Sequence, residues 1–479
     1  MSDPQELELK LELTPESADR LGKLALLRRK RCVSFQLVSV YFDAPGYPLR
    51  AQGASVRVRR CGETFTQTVK RETAAAGLFQ RDEWEQRVDG FEPALGDFHA
   101  KPLRKIRHLS GELEPVVRVE VDRSIWLVDR NRSQIEIALD RGTVRAGLKE
   151  AAIVELELEL KSGNPADLFD IARGIGKSIP LRLSAHSKAD RGYRLATDEA
   201  GKVQKASALR LKADLPVSQA FTVIAMECVR HFRLNEPLIT DSPEALHQAR
   251  VAMRRLRAAL SLFRGVIRDD EFARFRDGLR SLTGTLGKAR NLDVFIEQYA
   301  SCLTKADGAK LEQERDKAYA EIVSSLGSPL MTGFLLDLVA WAHTGEWCDN
   351  RKASRTIKRF ARNRLGHFWA KAQAGGSRLL ELTEEERHHF RLDVKKLRYG
   401  VDFLGSLFDK SKVRKFASSL AQLQEKLGDL NDQVTARDTI AMLSLDFTLE
   451  HGTGPAAKTL KKTARRYRKL ERIDPFWNA

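Results

Sequence analysis

The sequence predicts an α+β multidomain protein, with a strand-rich N-terminal half carrying helical insertions and an all-helical C-terminal half. Three observations carry this. Apolar residues alternate with period two from Gln5 to about Arg194, and from Pro216 onward they recur at spacings of three and four. The chain's 479 residues, 42% hydrophobic, also exceed what one ordinary core holds. The small, Lys-containing stretch 201–215 reads as a linker, which places domains at 1–200 and 216–479.

The strand segments follow in order: ELELKLEL from Glu6, VSVYFD, SVRVRR, FTQTVKR, VRVEVDRSIW, QIEIALD and IVELELELK. Two stretches break the alternation. Pro15 to Lys30 reads as a helix opened by Thr14 with Pro15 at its first position, and Pro165 to Gly176 as a second.

Lys and Arg total 82 against 65 Asp and Glu, a formal charge of +17 that predicts polyanionic company. Residues 1–205 hold 35 basic and 31 acidic side chains, and residues 206–479 hold 47 and 34, so the excess lies mainly in the helices. The five cysteines are scattered without zinc-type spacing, which points to a reduced cytoplasm. No run of 18 apolar residues and no leader-like start appear, so the expected protein is cytoplasmic and engages no membrane.

In a strand, residues two apart share a face. Glu6, Glu8 and Lys10 therefore lie opposite Leu7, Leu9 and Leu11, and Glu155 and Glu157 opposite Leu156 and Leu158. Arg57 and Arg59 oppose Val56 and Val58, and Glu83 shares a face with Glu85, with Trp84 on the apolar parity as a core residue. A merely solvated face carries mixed polar residues; these carry carboxylate on two strands and guanidinium on another. Strands closing with such faces inward make a tunnel lined by both signs, costly unless its charges are paired or occupied. A dense polyanion such as triphosphate together with a hard divalent cation satisfies both signs.

Glu6-Leu-Glu8-Leu-Lys10 resembles the ExExK signature of the CYTH family, the triphosphate tunnel metalloenzymes, over about residues 4–197. Tyr41-Phe42-Asp43, Ser55-Val56-Arg57-Val58-Arg59, Thr68-Val69-Lys70, Arg123 with Trp126, Leu139-Asp140-Arg141-Gly142, Glu155-Leu-Glu157 and Ser187-Lys188 with Arg191-Gly192-Tyr193 match in order. The resemblance implies an eight-stranded antiparallel tunnel and metal-dependent hydrolysis of a triphosphate. It implies Glu6, Glu8 and Lys10 as catalytic, and Glu6, Glu8, Asp140, Glu155 and Glu157 as ligands of Mg²⁺ or Mn²⁺, with Glu83 added by parity. Lys10, Arg57, Arg59, Lys70, Arg123 and Lys188 would grip phosphate. Arg118 lies on the other parity and is left out, and His99, His108 and His186 read as surface or packing residues.

In the helical half, residues 247–263 align without a gap on 388–404 at an offset of 141. His247, Arg250, Arg254 and Arg257 match His388, Arg391, Lys395 and Arg398, a cationic stripe beside an apolar one in each copy. The stripes carry no interleaved Glu, so an anion should lie against them. This duplication resembles the CHAD family over about residues 215–479. It implies two four-helix units forming a basic channel for inorganic polyphosphate. The repeated stripes contain no aromatic residue for base stacking, which argues against nucleic acid.

The expected protein hydrolyses inorganic tripolyphosphate to diphosphate and phosphate and binds long-chain polyphosphate on its helices. The alternatives are a nucleoside or thiamine triphosphatase, an adenylate cyclase, or a noncatalytic polyphosphate-binding scaffold.

Overall fold

The computed structural model describes residues 6–71, 78–95, 112–446 and 453–478, and only the backbone of 6, 71, 78–83, 429–434 and 453–458. His99 and His108 lie outside the described residues. Two compact units result, one holding the chain up to Val203 together with Gly327–Thr344, the other Gln204–Leu326 together with Gly345–Ala479.

Nine strands of the first unit form one antiparallel sheet: β1 (Glu6–Glu12), β2 (Cys32–Asp43), β3 (Ala54–Cys61), β4 (Thr64–Arg71), β5 (Leu78–Val88), β6 (Glu114–Arg130), β7 (Ser133–Ala146), β8 (Lys149–Ser162) and the two-residue β9 (Arg182–Leu183). Eight run in the order β5-β4-β3-β2-β6-β7-β8-β1, and β1 pairs back onto β5 with Glu6 opposite Arg81. The ring is therefore closed, and β9 is an addition on β1. Closure removes the exposed edges that an open sheet would leave.

The alternation makes this barrel apolar outside and charged inside. Leu9, Leu11, Ile135, Ile137, Leu156 and Leu158 are all buried on the outer parity. Helix α1 (Pro15–Leu21) starts at Thr14, whose Oγ1 accepts the Ser17 N–H at 3.2 Å, and stops well short of the expected Lys30. Beyond Gly22 the chain turns tightly, with Leu24 N–H donating to Leu21 O and Leu27 N–H to Leu24 O, and this brings Leu27 into the core. Outside β2, β3 and β4, the cluster of Val40, Phe42, Val56, Val58 and Val69 gathers Leu49 of α2 (Pro48–Ala51) and Leu95, with Trp84 packed against it. Helix α3 (Pro165–Gly176), capped by Asn164, packs against β8, and α4 (Lys188–Ala196) against β6, β7 and β8.

The second unit is helical: α5 (Val217–Asn235), α6 (Pro243–Ile267), α7 (Phe272–Tyr299), α8 (Lys305–Gly327), α10 (Ile357–Gly376), α11 (Glu384–Leu404), α12 (Lys410–Leu443) and α13 (Thr453–Glu471). Between α8 and α10 runs α9 (Pro329–Thr344), which sequence reasoning assigned to the helical domain but which packs with the strand unit. Asp337 accepts from Arg173 of α3 at 2.7 Å, and His343 stacks on Phe169. This helix is largely apolar, with Leu335, Leu338, Val339 and Trp341 buried, so it needs an apolar partner wherever one is offered. Among the described residues no single helix is long and apolar enough to cross a membrane, and the five cysteines are unbridged.

Candidate active site and cationic helix faces

Strand register decides what faces the lumen. Lys10 pairs with Glu157, Asp140 with Glu155, Arg123 with Asp140, Arg59 with Ser39, Arg57 with Thr68 and Lys70 with Ser55. In the closed ring β3 lies four strands from β8, and β4 four strands from β7. Arg57 and Arg59 therefore stand across the barrel from Glu155 and Glu157, and Lys70 across from Asp140. The lumen has an acidic wall facing a cationic one.

On the acidic wall, Glu8, Asp140, Glu155 and Glu157 are all buried. Oxygens of Asp140, Glu155 and Glu157 converge within 4.8 Å of one another. Bare, these charges would repel strongly in a low-dielectric interior. Three bases neutralise them. Arg123 donates to both oxygens of Asp140 at 2.7 and 2.6 Å and to Glu157 at 2.5 Å. Lys10 bridges Glu157 and Glu8, the latter at 3.0 Å. The Lys188 ammonium contacts all three members of the cluster, Asp140 at 2.8 Å, Glu157 at 2.7 Å and also Glu155.

Burial pushes the Glu157 carboxyl up, but Lys10, Lys188 and Arg123 outweigh it and hold the group well below the usual carboxylate range. Asp140 is lowered in the same way, with Lys188 and Arg123 overcoming burial. Glu155 goes the other way: burial dominates and raises it. Its Oε2 is buried without a hydrogen-bond partner, with Arg191 Nη2 3.6 Å away. Three converging carboxylate oxygens, one short of a partner, are a donor set that suits a hard divalent cation.

On the facing wall, Arg57 donates to Thr68 Oγ1 at 2.9 Å and lies 3.8 Å from Glu85, and Arg59 donates to Ser39 Oγ at 3.4 Å. Burial, aided by Arg57 and Arg123, lowers the Arg59 pKa to about 10. Among the described residues this wall is mainly cationic, so it is the side that attracts an anion. Lys10, Arg123 and Lys188, expected from sequence to grip phosphate, sit among the carboxylates of the acidic wall. The side chains of Glu6 and Glu83 lie outside the described residues; their backbones pair with Arg81 and Lys70.

Helix α4 explains why Lys188 reaches that wall. Ser187 caps it, accepting the Asp190 N–H at 3.1 Å, so Lys188 stands at the first turn. Ala189 and Tyr193 pack with Leu37, Tyr41, Val117, Val119, Val121, Val144 and Ile153, so apolar side chains of the inner parity fill one end of the bore. A Cβ on Gly192 would fall 2.0 Å from Val117 Cγ1, so only glycine allows this approach. Tyr193 donates to Asp43 Oδ2 at 3.2 Å, while Asp43 also accepts the backbone N–H groups of Ala44, Leu49 and Arg50. The YFD match thus marks a structural acid. Arg191, which sequence reasoning quoted but did not assign, pairs with Glu12 at 2.8 Å. His186 bonds Asp190, and Arg118 pairs with Glu120 at the surface.

In the helical unit the two stripes meet where α6 packs against α11. Arg254 donates to the Tyr399 hydroxyl at 2.6 Å. Burial and the nearby Arg254, Arg290 and Arg391 lower the Arg250 pKa to about 10, and burial with Arg290 lowers His247. Arg290 of α7 was missed because its place 141 residues on is Asn431. Arg257 donates to Thr283 at 2.9 Å and Arg398 to Gln424 at 2.7 Å, again 141 apart at both ends. Ser242 and Thr383, the caps of α6 and α11, obey the same offset. His388 is exposed, and Arg391 and Lys395 are half-buried. One acid does close the second stripe, Asp402 at 3.9 Å from Arg398.

Comparison with known proteins follows this division. The chain is 33% identical over 201 residues to an inorganic triphosphatase of Haemophilus influenzae, a match covering 41% of this chain and 56% of that relative. The chain thus spans little over half the length of that relative. A crystal structure of the CHAD domain from the plant Ricinus communis is similar at 26% identity and a TM-score of 0.46, over 57% of this chain and 93% of that one. A Hippeastrum adenylyl cyclase candidate described as having a dominant triphosphatase activity aligns at 17% identity and a TM-score of 0.31, over 40% of this chain and 96% of that one. Residues 4–193 match the CYTH domain family and residues 223–441 the CHAD domain family, so the chain carries a CYTH domain followed by a CHAD domain.

Proposed function

We propose that the barrel hydrolyses inorganic tripolyphosphate to diphosphate and phosphate. The observation that carries this reading is the pair of opposed walls in one closed lumen. Arg57, Arg59 and Lys70 bind the non-bridging oxygens and orient the chain of phosphates along the bore. Water supplies the attacking oxygen at the terminal phosphorus, the bridging P–O bond breaks, diphosphate leaves and the water's proton is released to solvent. Glu8, Asp140, Glu155 and Glu157, with Glu6 and Glu83 completing the set, would hold Mg²⁺ or Mn²⁺. When bound, that ion supplies Lewis-acid stabilisation of charge on the phosphoryl oxygens. Lys10, Arg123 and Lys188 hold Asp140 and Glu157 ionised and share their donors with phosphate once it arrives.

The CHAD domain, in this reading, is a duplicated bundle that binds long-chain polyphosphate along His247, Arg250, Arg254 and Arg257 and along His388, Arg391, Lys395 and Arg398. The equivalent bonds of Arg257 and Arg398 and the convergence of Arg250, Arg254 and Arg391 support it.

Phosphate release from tripolyphosphate, ATP and thiamine triphosphate with Mg²⁺ or Mn²⁺ tests the reading. Tripolyphosphate should turn over fastest; preference for an organic triphosphate would reject the substrate, and no turnover on any would leave a binding scaffold. Combining Arg254→Ala with Lys395→Ala should weaken polyphosphate retention and leave tripolyphosphate turnover largely intact. Stronger retention of tRNA or duplex DNA than of polyphosphate would reject the assigned partner.

A further inference from the structure

Strand β2 is longer than one of the two strands that flank it. Residues from Cys32 to Gln36 pair with β6, Cys32 opposite Trp126 and Gln36 opposite Asp122, but β3 ends at Cys61, opposite Leu37. Among the described residues nothing pairs with the other edge of this stretch. An antiparallel strand held on one side only leaves alternate N–H and C=O groups pointing outward, a template for a further strand. The stretch itself carries none of the usual protections: it has no proline, no charge and no bulge.

Its side chains give an apolar reason to be covered. Val33 and Phe35 share a face, in register with Ile125 and Arg123 of β6, and Leu127 follows on the same parity. Val33 is 46% exposed and Leu127 45%, while Phe35 and Ile125 are half-buried. A strand laid beside β2 with apolar residues at alternate positions would extend this row and cover Val33.

Just before the edge stand four exposed cations, Arg28, Arg29, Lys30 and Arg31. Buried Leu27 anchors their turn, in which Arg28 N–H donates to Leu24 O at 2.9 Å and Lys30 N–H to Leu27 O at 2.8 Å. Among the described residues none of the four has an ion-pair partner. Pairing of this edge with that of a second copy would gather two such runs on one ribbon, where like charges repel; an acidic strand is attracted instead.

We infer that the free edge of β2 is a docking site for an extended protein segment in which alternating apolar residues are followed by acids. The segment adds to the sheet through its backbone, and its acids supply the charge that the cationic turn lacks. Polarity of the chain sets the order. The cations precede Cys32 and β3 occupies the edge beyond Gln36, so an antiparallel segment lays its apolar part along Val33 and Phe35 and carries its C-terminal acids to residues 28–31. Such docking needs neither metal nor phosphate.

The test is amide hydrogen exchange of the full chain with and without the synthetic peptide acetyl-Thr-Val-Thr-Val-Thr-Val-Glu-Glu-Glu. Outward-facing amides between Cys32 and Gln36 should exchange fast in the parent and slow about tenfold with peptide at roughly ten times its Kd. A variant carrying Arg29→Gln, Lys30→Gln and Arg31→Gln, three exposed positions, should bind the labelled peptide roughly tenfold more weakly in fluorescence anisotropy at low salt. The same peptide N-methylated along its Thr-Val half keeps its charge but cannot pair, and should give no protection. Slow exchange in the parent alone would show the edge already occupied. Equal binding of the N-methylated peptide would show charge attraction without strand pairing, and a dimer in sedimentation that the peptide splits would show a second copy on the edge. Each of these overturns the inference, as does unchanged affinity in the triple variant.

Discussion

Replacing Lys188 by Met keeps an unbranched apolar stem one atom shorter and deletes the one charge that, among the described residues, touches all three members of the buried acid cluster. In the parent its ammonium stands 2.8 Å from Asp140 and 2.7 Å from Glu157 and also meets Glu155. Without it, carboxylate oxygens within 4.8 Å of one another keep, among the described residues, Arg123, Lys10 and the more distant Arg191 as counter-charges. Breaking a buried pair by removing one partner costs about 3–5 kcal/mol. Proton uptake by Glu155, already raised by burial, limits the loss to the lower part of that range. At about 2–4 °C per kcal/mol for a unit of this size, the barrel's melting midpoint should fall by roughly 6–12 °C in EDTA. A divalent cation then has a double reason to bind, because no ammonium competes for the same oxygens. Metal at a hundredfold excess over its Kd returns about 2.7 kcal/mol. The assay is thermal unfolding of parent and variant, each in EDTA and in saturating Mn²⁺, read as the difference of two metal-induced shifts. The variant's shift should be the larger. Equal melting points in EDTA, or a larger metal shift in the parent, would refute the idea that Lys188 serves as the cluster's resident counter-ion.

Three further outcomes are expected. Glu157→Gln should cut tripolyphosphate turnover by at least about a hundredfold, the scale of losing one charge-stabilising group, while circular dichroism shows the barrel intact; turnover within a few-fold of the parent would remove Glu157 from the chemistry. Asp140 and Glu157 have depressed folded-state pKa values, so their contribution is present above their unfolded values near 4 and is lost as pH falls through the folded ones. Lys10 and Lys188 are raised, so theirs is full below about 10.4 and lost as pH climbs above it. Urea unfolding of the barrel should therefore show a plateau from roughly pH 5 to 10, with raised Glu155 opposing the acid side, and a monotonic rise to pH 12 would contradict this. A chain ending at Val203 lacks α9 and uncovers Phe169, so its urea midpoint should lie below that of the barrel in the full chain; identical midpoints would show α9 to be dispensable.

Much of the site was legible because a strand's side chains repeat every two residues. Glu8, Lys10, Arg57, Glu155 and Glu157 could be assigned to common faces from parity alone, and the helical stripes from a spacing of three and four together with a constant offset. The cap of α1 was equally local: Thr14 is a hydroxyl just before a run of helix-spaced residues, and it accepts a backbone N–H there. The end of α1 was not legible, since Leu27 is drawn into the core by turns that local preference does not announce. Neither was Arg290, whose partner position in the repeat carries no charge.

The sequence alone determined which side chains travel together: acid with acid on β1 and β8, base with base on β3, and a cationic row on α6 and on α11. Only the tertiary structure decided what each row confronts. Pairing of β1 with β5 closes the ring and sets β3 across from β8, and no periodicity encodes that distance. The same holds for Lys188, carried from the start of α4 into the acid wall, and for α9, taken up by the strand unit. Faces are set by the backbone's local repeat, whereas opposition is set by closure and burial, which join residues as distant in sequence as Glu6 and Arg81.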